Sequence, residues 1–296
     1  MSETGFVIPT APQFSFERTV HSHGWLMLPP FSWDDESGTL GYVYQLAAGD
    51  AQRLRIRDAK DGIRVDAPDS PRLTSVARSE IAAAVRRMLN VDWDLSQFYA
   101  AMAAHKGYQW LEAERRGRIL IAPSMWEDLA KVLLTTNCSW AQTVNMCRQL
   151  CQLGAPHPTF EDSRAFPTAE RIAAMAFTEF AEQVRAGYRS AYLYELAQTI
   201  ADGRIDLDAW LALDSDAMYK AVKSLKGLGD YAAGTLARMY GHFDKIAIDT
   251  ACLTMFAELH NGGEKGSAAD IRAHYARFGR WRGLVMWMDI MRKYGE

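Results

Sequence analysis

The sequence predicts an α+β protein in which a small N-terminal antiparallel sheet domain precedes a mostly helical body. Residues 40–66 alternate between apolar and polar positions, which is typical of half-buried strands. Beyond residue 72 the apolar positions recur at helical spacing, and serines stand three residues before Glu or Gln at candidate helix starts. We therefore expect an antiparallel β domain over residues 1–72 and helical domains over residues 73–296.

The strands are predicted from local patterns. Apolar side chains share one face at alternate positions in the first segment: Leu40, Tyr42, Tyr44 and Leu46. Residues 53–57 alternate basic and apolar side chains, which indicates a strand with a charged outer face. Residues 60–62, with the sequence Lys-Asp-Gly, predict a hairpin turn. Residues 66–71 are rich in Asp and Pro and mark a domain boundary.

The helices are predicted from their caps and from periodicity. Ser79 is expected to cap a helix over residues 80–89. The pairs Ser124 with Glu127 and Ser139 with Gln142 have the spacing of capping boxes. They predict helices near residues 125–136 and 140–153. Further helices are expected near residues 168–184, 188–201, 215–224, 230–240, 250–260, 267–277 and 281–293.

Composition and charge restrict the class of protein. Of 296 residues, 49% are hydrophobic and 23% are charged, which is typical of a globular protein and excludes a low-complexity chain. No apolar run approaches the ~20 residues of a membrane-spanning helix, and the N-terminus shows no secretory signal pattern. The net charge is −3, yet residues 220–296 hold 12 Lys and Arg against 8 Asp and Glu. This basic quarter suits an anionic partner, although chance clustering explains it equally well.

The cysteines indicate a reducing compartment. There are four, namely Cys138, Cys147, Cys151 and Cys252, too few for a disulfide scaffold of this size. Their spacing matches neither zinc nor iron–sulfur ligand patterns, so we expect buried free thiols and no catalytic metal. Free thiols favour a cytoplasmic protein.

Residues 224–231 are the most informative stretch for function. Two glycines one residue apart lie between helical segments, in the run Leu225, Lys226, Gly227, Leu228 and Gly229. Glycines at positive φ expose backbone N–H groups, and the following helix adds its positive dipole end, so this turn can hold a phosphate oxygen. Asp230 would repel a phosphate unless its carboxylate faces away. A simple corner between helices, with glycines chosen for space, explains the same residues.

Asp249 follows the apolar residues 246–248 and begins the next predicted helix. Aspartate is a favoured N-cap, worth about 0.5–2 kcal/mol, and this role by itself accounts for the residue. Beside a bound nucleotide, the same carboxylate could stabilise a cationic sugar and orient water. The functional interpretation therefore depends on the hairpin.

Together these residues resemble the helix-hairpin-helix (HhH-GPD) DNA glycosylase superfamily, in the branch of 3-methyladenine glycosylase II and 8-oxoguanine glycosylase. The hairpin and Asp249 fit the family signature in order and spacing. Residues 134–142 look like the segment that faces the lesion, and residues 187–192 are similar to a Gly-Tyr-Arg segment of the family. The sheet before the helices resembles the N-terminal domain of that branch.

The resemblance implies that Asp249 is the catalytic carboxylate and that Tyr231 lines the base pocket. Bifunctional members place a lysine two residues after the second glycine, where its amine attacks the sugar. Tyr231 holds that position here, so we expect no lyase activity. An aromatic that alkyl-base enzymes use near the C-terminus is not clearly matched, because that register reads Asp-Ile-Met at residues 289–291 and Trp281 and Trp287 lie off register.

The resemblance also implies which residues bind DNA. The backbone of the hairpin, residues 225–229, would hold a phosphate. Asn137 would fill the gap left in the duplex, and Gln142 would approach the orphaned base. Trp25 and His23 would reach the mouth of the pocket, although core positions explain both residues as well.

The function implied is that of a monofunctional base-excision repair glycosylase, which hydrolyses the N-glycosidic bond of a damaged base flipped out of double-stranded DNA. An alkylated base is the expected substrate, since a cationic base leaves without a strong general acid. The alternatives are a glycosylase for another lesion (8-oxoguanine, a deaminated base or a mismatched base) and a hairpin protein that binds DNA without catalysis. We expect no cofactor apart from a monovalent cation on the hairpin backbone, no membrane partner, a monomer, and a cytoplasmic location, at the nucleoid in a bacterium.

Overall fold

The computed structural model describes residues 5–70 and 72–294. The chain forms two compact units. Unit 1 comprises Met1–Trp93 with Ile119–Leu207, and unit 2 comprises Asp94–Arg118 with Asp208–Glu296. The division differs from the boundary expected at residue 72, which falls within unit 1, because the sheet region is joined to later helices by buried contacts described below.

Unit 1 contains a five-stranded antiparallel sheet, which confirms the α+β prediction. Its strands are β1 (Gly5–Ile8), β2 (Phe31–Asp34), β3 (Thr39–Gln45), β4 (Ala51–Ala59) and β5 (Gly62–Asp66). Their order across the sheet is β1-β5-β4-β3-β2. The predicted hairpin turn is confirmed, since Ala59 pairs with Gly62. The sequence does not predict β1 and β2, because four residues are too few to show an alternating pattern.

Most of the remaining elements are α-helices. They are α1 (Phe16–Val20), α2 (Ser75–Met88), α3 (Ser96–Ala103), α4 (Trp110–Ala113), α5 (Met125–Thr135), α6 (Trp140–Cys151), α7 (Ala169–Ala173), α8 (Phe177–Val184), α9 (Tyr188–Ala201), α10 (Leu207–Trp210), α11 (Ser215–Lys223), α12 (Asp230–Met239), α13 (Thr250–His260), α14 (Ala268–Ala276) and α15 (Arg282–Tyr294). Short 3₁₀ helices cover Gly24–Met27 and Gly279–Trp281. Of the helices in residues 5–70 and 72–294, none has both the length and the apolar character that crossing a membrane requires.

Two predicted helix boundaries are wrong. The hydroxyl of Thr74 caps α2, so the cap is not at Ser79 and the helix begins earlier than expected. The helix predicted over residues 168–184 is divided into α7 and α8. The sequence did not predict this break, and a residue of another helix makes a hydrogen bond at it. Tyr194 of α9 donates its hydroxyl to the Met175 carbonyl at 2.7 Å, and that contact stabilises the carbonyl outside a helix.

A buried ion pair lies within unit 1. Lys131 donates to Oε1 of Glu127, one turn away on α5, at 2.6 Å, and Tyr42 of β3 donates to Oε2 of the same carboxylate at 2.6 Å. The Lys131 and Glu127 side chains are 0% and 2% exposed. The Lys131 ammonium also lies 4.7 Å from the centre of the Phe31 ring. Ser124 accepts a hydrogen bond from Glu127 N at 3.2 Å, but the Glu127 side chain serves the ion pair and does not close the predicted capping box.

A second buried carboxylate joins the segment before the sheet to the same helix. Trp25 donates its indole N–H to Oδ1 of Asp128 at 2.7 Å. The Ala122 N–H donates to the same oxygen at 2.9 Å. Together with the bond from Tyr42 to Glu127, these contacts make the sheet region and α5 one compact unit.

The variant Lys131→Ala should destabilise the protein by about 3–5 kcal/mol, because it leaves the Glu127 carboxylate buried without its cation. Urea unfolding followed by circular dichroism measures the loss. The matched control is the double variant Glu127→Leu/Lys131→Met, which replaces both charges with apolar side chains. It should be more stable than Lys131→Ala, since no unpaired charge stays buried. A double variant as unstable as the single one would contradict this explanation.

Candidate active site

The glycine hairpin joins α11 to α12 in unit 2. Leu228 is 4% exposed and anchors the turn, and its N–H donates to the Leu225 carbonyl at 3.2 Å. By contrast, Lys226, Gly227 and Gly229 are exposed. The hairpin therefore presents backbone to solvent above a buried apolar anchor.

The two glycines differ in conformation. Gly227 has a φ of 83°, which L side chains rarely adopt. Gly229 has φ −94° and ψ −161°, which is ordinary extended backbone, so of the two glycines only Gly227 uses the positive φ that glycine allows. A Cβ atom at Gly229 would meet nothing within 4 Å, so packing inside the protein does not require glycine there. The absence of a side chain leaves the backbone at Gly229 open to solvent.

Asp230 is held against α11 by two side chains. Its Oδ1 atom accepts from the Tyr219 hydroxyl at 2.8 Å and lies 2.5 Å from Lys223 Nζ. The hydrogen bond from Lys223, and then that from Tyr219, lower the pKa of the Asp230 carboxyl. Because the Lys223 cation partly neutralises the Asp230 carboxylate, that carboxylate repels an anion less strongly. Gly229 supplies no side-chain cap at the start of α12, where the helix dipole has its positive end.

Asp249 is the N-cap of α13 and is half-buried. Its Oδ1 atom accepts from Cys252 N at 2.8 Å, which is the capping role that the sequence predicts. The cap uses one carboxylate oxygen, and Oδ2 lies outside it. A structural and a catalytic role are therefore compatible in this one side chain.

Two glycines allow the segment before Asp249 to lie directly against α12 and α15. A Cβ atom at Gly234 of α12 would lie 3.2 Å from the backbone of Ala247. One at Gly283 of α15 would clash with a carbonyl oxygen of the same segment, and Gly283 N donates to the Phe243 carbonyl at 2.7 Å. Main-chain contacts thus fix the position of Asp249 relative to α12.

Tyr231 begins a stripe along α12 that continues with Thr235 and Arg238. These residues stand four and seven positions further on, so the three side chains share one helix face. Tyr231 is half-buried, whereas Thr235 and Arg238 are 3% and 2% exposed. The Arg238 guanidinium lies 4.4 Å from the centre of the Trp287 ring on α15.

Arg238 is a buried cation close to the candidate carboxylate. Burial lowers the pKa of Arg238 to about 10, so the guanidinium remains protonated at neutral pH. The charge of the neighbouring Asp249 carboxylate opposes this shift. The sequence motifs did not indicate Arg238, although its seven-residue spacing from Tyr231 is a usable signal. The sequence places Trp287 off the register of the aromatic that alkyl-base enzymes use, and in the structure its ring faces Arg238 of α12.

In unit 1, the turn after α5 presents Asn137 at the surface, with a φ of 48°. Its Nδ2 atom donates to the hydroxyl of Tyr188, which is also exposed, at 3.2 Å. Arg189 donates from Nε to the Thr136 carbonyl at 2.9 Å and from Nη2 to the Asn137 carbonyl at 3.0 Å. The structure thus brings together the two unit 1 segments that resemble the glycosylase superfamily.

Gln142 is exposed at the start of α6. Its Oε1 atom accepts from Ser139 N at 2.9 Å, which completes the predicted capping box. The amide nitrogen is the part of this side chain that lies outside the capping box. The proposed approach of Gln142 to an orphaned base stays a prediction.

His23 and Trp25 are buried in unit 1, at 6% and 2% exposure, with their rings 4.0 Å apart. Gly24 lies against Trp140 of α6, since a Cβ atom there would be 2.6 Å from the indole ring. The segment therefore lies beside the start of α6, near residues expected to bind DNA. Its two aromatic side chains contribute to the core of the unit, and their contact with a base stays a prediction.

Comparison of the sequence with those of known proteins identifies a relative of this chain. No family model matches the chain. The N-glycosylase/DNA lyase of Saccharomyces cerevisiae is 27% identical over 144 residues, which cover 44% of this chain. The chain spans 38% of the length of that relative.

Solved structures match nearly the whole chain. MBOgg1, in complex with a low affinity DNA ligand, has a TM-score of 0.76 at 16% identity and covers 99% of this chain and 97% of its own. The 3-methyladenine DNA-glycosylase from Archaeoglobus fulgidus has a TM-score of 0.75 at 17% identity, over 98% of both chains. The apo-form of the Clostridium acetobutylicum 8-oxoguanine glycosylase/lyase has a TM-score of 0.75 at 13% identity, over 97% of this chain and 96% of its own. The chain therefore has the fold of the glycosylases that its sequence resembles.

Proposed function

We propose that the protein is a monofunctional DNA N-glycosylase of base excision repair. One observation carries the proposal: Asp249, with a carboxylate oxygen outside its cap, is fixed by main-chain contacts against the helix that follows an exposed glycine hairpin. The shared fold supports it, since solved glycosylases match the chain almost end to end. The sequence relative, named N-glycosylase/DNA lyase, points to the same class of reaction.

The hairpin is the proposed contact with double-stranded DNA. Its exposed backbone at Gly227 and Gly229, at the positive end of α12, suits a phosphate oxygen. Lys226 is exposed in the same turn and adds positive charge. A monovalent cation on the hairpin carbonyls is part of this proposal. The Leu225 carbonyl, which accepts from Leu228 N, has a second lone pair that fits such an ion.

The reaction is a hydrolysis at the sugar carbon. The damaged base rotates out of the duplex toward Tyr231, which is proposed to line the base pocket. As the N-glycosidic bond breaks, its electron pair leaves with the base and the sugar becomes oxocarbenium-like. Asp249 stabilises that positive charge and orients a water molecule, whose oxygen bonds to the sugar carbon. A proton from the water passes to the departing base or to solvent, and an abasic site remains.

The absence of an amine at position 231 supports hydrolysis without lyase chemistry. A Schiff base needs a lysine at the sugar, and Tyr231 has a phenol instead. Of the lysines near the hairpin, Lys223 is bound to Asp230. The yeast relative and the Clostridium acetobutylicum structure are named lyases, so this chain would differ from them in this step.

The exposed turn of unit 1 is proposed to meet the rest of the duplex. Asn137 would fill the space left by the extruded nucleotide, and Gln142 would lie near the orphaned base. Arg189 holds the backbone of this turn through two carbonyls, which favours a defined geometry for Asn137. Contact of Trp25 and His23 with the extruded base stays a prediction.

The shared fold is compatible with more than one class of damaged base as the substrate. Glycosylases for 3-methyladenine and for 8-oxoguanine match the chain equally well. Both the expected alkylated base and the alternative lesions are therefore consistent with the architecture. A hairpin protein without catalysis is the other alternative, and the partial exposure of Asp249 beside α12 argues against it.

Asp249→Asn should abolish base release and leave binding to a duplex largely unchanged. Asparagine keeps the N-cap of α13, since its side-chain oxygen can accept from Cys252 N, but it lacks the charge that stabilises the sugar. Single-turnover release of free base from duplexes with defined lesions, together with gel-shift binding, measures both effects.

The matched control for this test is Asp214→Asn. Asp214 is also an N-cap aspartate in unit 2, where it accepts from Ala217 N at 2.8 Å. It should change neither release nor binding. Full turnover by Asp249→Asn, or an equal loss with Asp214→Asn, would refute the role of Asp249.

The wild-type protein should form no covalent adduct with a damaged duplex in the presence of borohydride, because no amine replaces Tyr231 at the sugar. Its DNA product should break only after alkaline treatment. Denaturing gels detect both results, with a known bifunctional glycosylase as the positive control for trapping. A trapped protein–DNA adduct would show that a lysine reaches the sugar, and Lys226→Ala would then test which one.

A further inference from the structure

Thr235 and Arg238 carry buried polar atoms that have no hydrogen-bond partner among the described residues. The atoms are Oγ1 of Thr235 and both Nε and Nη1 of Arg238. Buried polar groups in native proteins are nearly always paired, so orphaned atoms at a candidate site need an explanation. These atoms share one face of α12, which indicates a site for a ligand with hydrogen-bond acceptors.

The position of Arg238 connects these atoms with the candidate active site. Side chains on a helix lean toward its N-terminus, so the long Arg238 side chain runs back along α12 toward Tyr231. The charge of Asp249 acts on the guanidinium as well. Arg238 is therefore close both to the residue expected to line the base pocket and to the carboxylate proposed to face the sugar.

The contact with Trp287 does not satisfy the guanidinium. A ring face 4.4 Å away attracts the positive charge, but it accepts no hydrogen bonds in the plane of the N–H groups. The buried cation of unit 1 is different, since Lys131 donates to the Glu127 carboxylate at 2.6 Å. An arginine that is buried, charged and incompletely bonded is costly to the fold, and a bound substrate would complete its bonding.

We propose that Arg238, with Thr235, determines specificity: it donates hydrogen bonds to an extruded base that is neutral, and its charge excludes bases that are already cationic. This inference rests on the proposed glycosylase function. It assigns neutral damaged bases as substrates, in place of the cationic alkylated base expected from the sequence.

The two classes of base respond oppositely to a buried cation. When a neutral base leaves, the electron pair of the broken bond makes it an anion until it takes the proton released by the water. The Arg238 guanidinium stabilises that developing charge, and the dry interior strengthens the effect.

A cationic base instead becomes neutral as it accepts the electron pair, and the proton of the water goes to solvent. Its positive charge is lost in the reaction, so Arg238 has nothing to stabilise and repels the base on entry. One face of Trp287, which could attract a cationic base, is occupied by Arg238.

The test measures base release by the full chain from duplexes that each contain one lesion. Neutral probes are 8-oxoguanine and hypoxanthine, and the cationic probe is 7-methylguanine. Each single-turnover rate is divided by the spontaneous release from the same duplex, because cationic bases leave faster without any enzyme. We expect the enhancement to be larger for a neutral base than for 7-methylguanine.

Arg238→Met keeps a long side chain over Trp287 and removes the charge and the donors. It should lower release of the neutral base by about 100-fold, the usual effect of losing an electrostatic donor, without lowering release of 7-methylguanine. Thr235→Val, which removes Oγ1 at constant volume, should shift the same ratio in the same direction. The matched control is Arg292→Met, which removes another arginine stacked on a tryptophan, 5.0 Å from the Trp110 ring, and should leave the ratio unchanged.

The outcomes separate this inference from the proposed function. Preference of the wild type for 7-methylguanine, or equal losses on both classes of base in Arg238→Met, would overturn the role of Arg238 and leave the glycosylase intact. If Arg238→Met does not fold, the wild-type preference and Thr235→Val decide the question. No release from any duplex, or undiminished release by Asp249→Asn, would overturn the proposed function and this inference with it.

Discussion

Direct contact between backbones around residues 243–249 is the constraint on which the candidate site depends. Gly234 and Gly283 allow α12 and α15 to touch this segment without intervening side chains. Since the segment ends at the N-cap Asp249, its carboxylate is positioned by peptide groups, which move less than side chains. The helix that carries Gly234 also follows the exposed hairpin. The fold of unit 2 thereby links a proposed phosphate contact and a proposed catalytic carboxylate through the same helix.

Buried charged side chains differ in their hydrogen-bond partners from one part of the chain to another. In unit 1, Glu127 and Lys131 satisfy one another. In unit 2, Oδ2 of Asp289 accepts from the hydroxyls of Tyr108 and Tyr275 at 2.9 and 2.8 Å, and lies 3.0 Å from His260 Nε2. These groups stabilise the architecture and need no ligand. Among the described residues, Nε and Nη1 of Arg238 have no such partner, and the proposed contact with a base rests on this difference.

Local sequence signals correctly predicted the elements whose stabilising contacts join residues close together in the sequence. The capping box of Ser139 and Gln142 and the N-cap of Asp249 both formed as expected, because the partners lie within three residues. The same pattern at Ser124 gave a wrong prediction. The Glu127 side chain bonds to Tyr42 of β3 and to Lys131, and it does not close the capping box. The division of α7 from α8 was also not predicted, and a hydrogen bond from the Tyr194 hydroxyl of α9 lies at this break.

The sequence by itself determined the α+β class, the order of sheet and helices, the hairpin, the capping role of Asp249 and the lack of an amine at Tyr231. Each of these is a property of a short stretch of chain or of a residue type. The tertiary structure alone decided which helix Asp249 lies against and that Arg238 is buried on the Trp287 ring with unfilled hydrogen bonds. Those features arise from the packing of α12 and α15 with the segment 243–249, which brings together residues that lie far apart in the sequence.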